Sequence, residues 1–280
     1  MRPSLLPCIV ASALMACARA ETPAADSAVA ATPNVVAITA SDFALAAPDT
    51  IPSGLTAFHL VATSGVHHAM VVKIGEGKTY ADFLEAAKSL DPTKPFPSWL
   101  TEIGGPNPPA PGDTTIVMHD VTAGTYALFC VVDIPDRVPH IAKGMVRELT
   151  VVPASTPSAP PPASDVAMTL VDYGFDVTPA LTPGEHVIKV TNTAQQSHEF
   201  FIARLDSGKT MADVGQWAAT YTGPFPGKAL GGLAPMSPGG TAYVRVQITP
   251  GNYILLCFVP DAKDGKLHLE HGMAKEFTVQ

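Results

Sequence analysis

The chain has 280 residues, a formal charge of −8, 28 prolines, 22 glycines and only 15% charged side chains. That length holds one large domain or two ordinary ones. The acidic balance, with no basic stripe, excludes a nucleic-acid partner, which needs clustered lysine and arginine. Short runs of Val, Ile, Thr, Phe and Tyr between turn residues favour strands over long helices.

In chain order, residues 1–20 read as an export signal: Arg2, then an apolar run from Leu5 to Met15, then small residues. The run is too short to span a bilayer as a helix. Two cleavage readings compete. Ala18-Arg19-Ala20 fits the small-x-small rule and frees the chain at Glu21, whereas Leu14-Met15-Ala16-Cys17 resembles a bacterial lipobox that leaves Cys17 lipidated and membrane-attached. Either places the protein in the periplasm or cell envelope. Residues 21–33 are small and polar and serve as a flexible tether.

Residues 34–152 form a first run of predicted strands: Val35–Thr39, Thr56–Ala62, His68–Ile74, Thr114–Met118, the segment ending at Cys130, and Val146–Val152. One predicted helix, Tyr80–Leu90, interrupts them after Thr79, a capping residue. Pro153 to Ser164 is a Pro/Ser/Ala-rich linker with no apolar periodicity. Residues 165–280 repeat the pattern, with strands Ala167–Val171, His186–Val190, His198–Leu205, Ala242–Ile248, the segment ending at Cys257, and Ala274–Val279. A helix over Met211–Tyr221 follows Thr210. Gly77-Lys78-Thr79 and Gly208-Lys209-Thr210 lack the upstream glycine of a phosphate-binding loop, so each is a turn and a cap.

The two runs are copies. Thr125–Cys130 parallels Asn252–Cys257, His140–Met145 parallels His268–Met273, and Gly104-Gly105 pairs with Gly231-Gly232. Matched positions are offset by 127 for the cysteine and 128 for the methionine. His68-Ala69-Met70-Val71-Val72 is aligned with His198-Glu199-Phe200-Phe201-Ile202 at an offset of 130, which selects His68 over His67. The unit of about 115 residues is duplicated. Seven or eight short strands per copy suggest a two-sheet sandwich, all-β apart from the helical insertions.

Only Cys130 and Cys257 lie beyond the export region. A disulfide between them is the default for an oxidising compartment, yet it requires equivalent strand ends of two domains to meet. Each cysteine is instead followed by a histidine and a Gly-Met. A mononuclear electron-transfer copper site takes two imidazoles and a thiolate in a plane with a weak thioether above. The candidate sets are His68, Cys130, His140, Met145 and His198, Cys257, His268, Met273. His271 matches Lys143 and is set aside in favour of His268.

With an early histidine and the loops Cys130-x9-His140-x4-Met145 and Cys257-x10-His268-x4-Met273, the chain resembles the cupredoxin (blue, type 1 copper) family in a tandem two-domain arrangement. The resemblance implies two Greek-key β-sandwiches, two copper ions in total, electron transfer, and a redox-protein partner. The family often has Asn directly after the early histidine, where Ala69 and Glu199 stand here. Two-domain relatives include nitrite reductases and laccases, whose catalytic copper needs further histidines. Phe129 and Val131 flank Cys130, Leu256 and Phe258 flank Cys257, and no His-x-His occurs, so the reading is a carrier and not an enzyme. Copper buffering or delivery is the alternative, and a metal-free interaction module the next.

Overall fold

The computed structural model describes residues 31–89, 96–134 and 136–280; the export signal and most of the tether lie outside them. Copy one consists of β1 (Asn34–Ser41), β2 (Ala44–Ala46), β3 (Thr50–Pro52), β4 (Gly54–Ala62), β5 (Met70–Ile74), α1 (Tyr80–Ala87), β6 (Leu100–Gly104), β7 (Thr114–Val121), β8 (Gly124–Phe129) and β9 (Val146–Val152). Copy two consists of β10 (Val166–Val171), β11 (Gly174–Thr178), β12 (Gly184–Asn192), β13 (His198–Leu205), α2 (Met211–Thr220), β14 (Gly227–Met236), β15 (Thr241–Ile248), β16 (Gly251–Leu256) and β17 (Ala274–Val279). Both helices start as expected. Thr79 accepts from the Asp82 amide while its own N–H and hydroxyl donate to the Asp82 carboxylate, and Thr210 donates to Asp213 in the same way.

Alternating burial explains the sandwich. In β1, Val36, Ile38 and Ala40 point inward and are buried, while Val35, Ala37 and Thr39 are exposed; a period of two buries one face of each sheet. The opening strand runs parallel to its neighbour in both copies, β1 with β4 and β10 with β12, the short β3 runs parallel to β9, and the other pairings are antiparallel.

The sheets do not stop at the copy boundary. One runs β11-β10-β12-β15-β7-β4-β1-β2 and the other β17-β16-β13-β14-β6-β5-β8-β9-β3. At the junction β15 pairs with β7, Tyr243 opposite Met118 and Val244 opposite Val117, and β14 meets β6 at Met236 and Ile103. Read outward from the junction the order is the same on either side, except that copy one adds β3 beyond β9, so the copies are related by a pseudo-twofold. Their strand edges cap one another. Val117 of copy one is buried in the core of copy two, and Leu55, Ala57, Met118 and Ala159 pack with Val187 and Tyr243. Ala31–Gln280 form one compact unit. The Pro-rich segment is held to copy one: Ser158 Oγ accepts from the Leu55 amide at 2.8 Å.

The paired glycines acquire a reason here. Gly105 and Gly232 lie at φ 131° and 124°, where a side chain is disfavoured. A Cβ on Gly105 would overlap the carbonyl oxygen of Ala69, and one on Gly232 that of Phe200. The β5–β6 and β13–β14 registers both shift near these points, so the glycines let bulged strands press against the backbone beside the early histidine.

Candidate metal centre

Each cysteine directly follows a fully buried strand end, Cys130 after β8 and Cys257 after β16, and both thiols are free and inaccessible. The loop to the last strand folds back on its cysteine through backbone bonds. Ile141 N–H donates to Cys130 O at 2.7 Å and His140 N–H to Val132 O at 2.9 Å; Leu269 donates to Cys257 O at 3.0 Å and His268 to Val259 O at 2.8 Å. A single 3-10 turn follows (His140–Lys143, His268–His271) and ends at a glycine with φ 95° (Gly144) or 96° (Gly272). The reversal buries Met145 and Met273 completely, and each methionine carbonyl accepts from its cysteine amide, at 3.1 and 3.2 Å.

Three donors converge in each copy: His67, Cys130 and His140, and His198, Cys257 and His268, with ligand atoms within 4.8 Å of one another. His67 Nδ1 lies 3.0 Å from His140 Nδ1, and Cys130 Sγ lies 3.5 Å from the latter. In copy two, Cys257 Sγ is 3.4 Å from His268 Nδ1 and 3.8 Å from His198 Nδ1.

The outer ring nitrogens fix the tautomers. His67 Nε2 faces Asp42 Oδ1 at 2.8 Å and His140 Nε2 faces the Ile134 carbonyl at 3.1 Å, acceptors both. Both Nε2 atoms therefore carry the proton, and two Nδ1 lone pairs point at each other across 3.0 Å beside a sulfur. His198 Nε2 likewise donates to Asp172 Oδ1 at 3.1 Å, leaving Nδ1 bare toward Cys257. Facing lone pairs repel unless a cation lies between them. An outer carboxylate or carbonyl on the far nitrogen is the arrangement that orients imidazole ligands. Phe43 packs edge-on against His140 and Tyr173 against His268.

Burial, reinforced by the neighbouring His140 ring, lowers the His67 pKa and keeps it neutral, Asp42 pulling the other way; burial lowers His140 as well. Burial and the neighbouring His198 bring His268 down to about 4. Burial pushes the Cys130 thiol up to about 12 and raises Cys257 well above its ordinary range. The donors are thus two neutral imidazoles and a thiol that ionises only against a bound cation, which is the ligand chemistry of a soft or borderline metal such as copper.

One expected residue is placed elsewhere. His68 stays outside the cluster, with its Nε2 accepting from the Val131 amide at 2.8 Å. The reason is register. Met70 stands opposite Phe129 and Phe201 opposite Leu256, so β5 matches β13 at an offset of 131 and not 130. A slip of one residue sends a side chain to the other face. His67 is the structural counterpart of His198, and His68 that of Glu199, whose Oε1 accepts from the Phe258 amide at 2.9 Å. His68 and Glu199 occupy the position where the resemblance led one to look for Asn, and each ties the cysteine loop to the early-histidine loop. His271 lies apart, on Asp264 at 3.1 Å. Asp42 and Asp172 went unremarked in the sequence, although Asp42-Phe43 and Asp172-Tyr173 follow the opening strands at the offset of the repeat.

No protein-family model matches the chain, and no curated protein matches it in sequence. Among solved structures, the dithionite-reduced auracyanin of the photosynthetic bacterium Roseiflexus castenholzii is 21% identical over 41% of this chain and 94% of its own, with a TM-score of 0.30. Auracyanin A of Chloroflexus aurantiacus, described as a blue copper protein, is 21% identical over 43% of this chain and 100% of its own, TM-score 0.30. The blue copper oxidase of Nitrosomonas europaea is 14% identical over 89% of this chain and 86% of its own, TM-score 0.26. Likenesses this distant say nothing about activity. Strand order, the parallel opening pair and the Cys-His-Met loop decide the fold.

Each copy is a cupredoxin-like sandwich.

The two donor clusters differ in their surroundings. Beside His140 lies a cleft of about 370 Å³, walled by Phe43 and Val66 of copy one and by Trp217, Tyr221 and Phe225 of copy two. Arg137 sits 4.2 Å from the centre of the Tyr221 ring and clamps the two copies there. Over His268, Tyr173 donates to Asp261 at 2.5 Å, and Gln196 donates to the same carboxylate. Among the described residues, no helix is long and apolar enough to cross a membrane.

Proposed function

We propose that this chain is an exported electron carrier of the periplasm or cell envelope that holds one mononuclear copper in each cupredoxin-like copy. The ligands are His67, Cys130, His140 and Met145 in copy one and His198, Cys257, His268 and Met273 in copy two. The observation that carries the reading is the pair of unprotonated Nδ1 atoms facing each other across 3.0 Å beside the buried Cys130 sulfur. Bound copper would supply one-electron exchange between its two common oxidation states. The chain's own contribution is to hold the imidazoles of His67, His140 and His198 by their far nitrogens, aim His140 and His268 through the loop bonds to Cys130 and Cys257, and exclude water. A scaffold fixed by two continuous sheets keeps that geometry in either oxidation state, which favours exchange over chemistry on a substrate. The aromatic cleft at the His140 edge suits contact with a redox-protein partner.

Titration of the purified mature protein with Cu(II) tests the reading. Two equivalents and an intense thiolate-to-copper band are expected, with the band lost when Cys130→Ser and Cys257→Ser are combined. No bound metal and no band overturns it. Tight Cu(I) binding with a potential too low to accept electrons from periplasmic donors would replace electron transfer with copper buffering.

A further inference from the structure

Both residues that flank the second early histidine are held from the other copy. The segment after β6 of copy one runs along β14 of copy two: the Asn107 amide donates to the Gly232 carbonyl at 3.2 Å and the Ala234 amide to the Gly105 carbonyl at 2.8 Å. That reciprocal pair makes Ala234 the counterpart of Asn107. The equivalence stops at the side chains. Asn107, 2% exposed, donates through Nδ2 to Glu199 Oε2 at 3.0 Å and also faces the carbonyls of Phe200 and Leu233 at 3.1 and 3.0 Å. These acceptors lie where the β13–β14 register shifts between His198 and Phe200, and a bulge leaves ladder groups to find partners elsewhere. On the other side of His198, the Ser197 hydroxyl donates to the Glu102 carboxylate of copy one. Glu102 is fixed in turn by Ser237, whose hydroxyl accepts from its amide at 3.1 Å and whose amide donates to its carbonyl at 2.9 Å. Glu102 stands opposite Val72 and Ala229 opposite Ala203, so Ala229 is its counterpart.

The consequence falls on one site. Glu199 holds the Phe258 amide, next to Cys257, with Oε1 at 2.9 Å, and is itself held from copy one through Oε2. His198 therefore sits between two anchored residues, Ser197 and Glu199, and Cys257 precedes a third. Withdrawing the Asn107 donor strips a buried carboxylate oxygen of that partner, and such a group turns or draws in water instead of staying unmet. In copy one the matching positions are Val66, which has no polar side-chain atom, and His68, which accepts from the Val131 amide of its own copy at 2.8 Å. With alanine at 229 and 234, copy two has no polar side chain to offer at the two matching positions. The outer partners of His67 and His140, Asp42 and the Ile134 carbonyl, also belong to copy one.

We propose that Asn107, seconded by Glu102, is a positioning residue for the second copper site, which copy one thereby completes, whereas the ties of the first site come from its own copy. The proposal rests on the copper reading above. Its physical content is that the spacing of His198 and Cys257 is set through Glu199, and that Glu199 keeps its place only while Asn107 donates to it.

Two single-site parents, Cys130→Ser and Cys257→Ser, each titrated with Cu(II) alone, read this directly. In Cys130→Ser, where only the second thiolate remains, adding Asn107→Leu is expected to lower copper affinity on the order of tenfold or more, by competition with a chromophoric chelator, and to shift the thiolate-to-copper band. In Cys257→Ser the same substitution leaves affinity and band unchanged. Ser197→Ala acts in the same direction and on the same site. In the apo full chain, hydrogen exchange at the Phe258 amide is expected to quicken with Asn107→Leu while that at Val131 does not, a readout that needs no metal. Equal losses at both sites, as general destabilisation gives, or no loss at the second, overturn the positioning role and leave the copper sites standing; unaltered Phe258 exchange overturns it as well. Parents that bind no Cu(II) overturn the copper reading itself. If Asn107→Leu does not fold, as judged by circular dichroism, Glu199→Gln decides: an amide there accepts from only one of the two donors facing it, and the same loss confined to the second site is expected.

Discussion

The tautomers of His67, His140 and His198 make these sites what they are, and the groups that set them lie outside the donor set. Asp42 and Asp172 each accept a hydrogen bond from the Nε2–H of an early histidine. Replacing either by Ala frees the ring to turn and to shift its proton, so copper affinity at that site is expected to fall roughly 10–100-fold, measured by competition with a chromophoric chelator. A second residue-scale prediction concerns His186, remote from the metal donors. It offers Nδ1 to Asp165 at 2.6 Å and Nε2 to the Thr182 carbonyl at 2.8 Å, both nitrogens donating. Burial opposes the charge, but the carbonyl and the carboxylate outweigh it and raise the His186 pKa, while His186 and the Val187 amide lower that of Asp165. A raised histidine contributes stability that is full below its unfolded value, about 6.5, and lost as pH rises through the folded value. A lowered aspartate contributes above its unfolded value, about 3.9, and loses that as pH falls. The stability difference between wild type and His186→Gln in urea is therefore expected to peak near pH ~5 and to shrink on either side. A flat difference from pH ~4 to ~9 would contradict it.

At the scale of elements, duplication made most of the architecture readable. β9 and β17 coincide with the strands expected from sequence, α1 and α2 start at their threonine caps, and the Cys-His-Met loop follows from its spacing. The early histidine did not, because the segment between it and the cysteine differs in length between the copies. An offset of 130 and one of 131 both lay His against His, and strand pairing alone distinguishes them. The double glycines were visible as a repeat but not explicable without the neighbouring backbone. Gly105→Ala or Gly232→Ala, forcing a Cβ onto a carbonyl at positive φ, is expected to cost about 3 kcal/mol or more. Gly112→Ala, at φ 86° with nothing within 4 Å of the added carbon, should cost only about 1–2 kcal/mol. Thermal unfolding of the three variants checks the ranking.

For the whole molecule, the period of the repeat says nothing about which edges meet, so the fusion of both copies into two shared sheets could not be read from the sequence. With Val117 buried in the other copy's core and β7 paired to β15, the unit is expected to unfold in one transition. A fragment carrying residues 165–280 alone exposes the edges of β14 and β15, and is expected to lose stability or self-associate; sedimentation and urea unfolding of the fragment measure this. The account's central claim is that His67, not His68, completes a copper site with Cys130 and His140. Its most direct test is the visible spectrum of the Cu(II)-loaded Cys257→Ser protein, in which only the first site keeps its thiolate, with His67→Ala or His68→Ala added. The thiolate-to-copper band should vanish with His67→Ala and persist with His68→Ala; the reverse, or no band before either change, would contradict it.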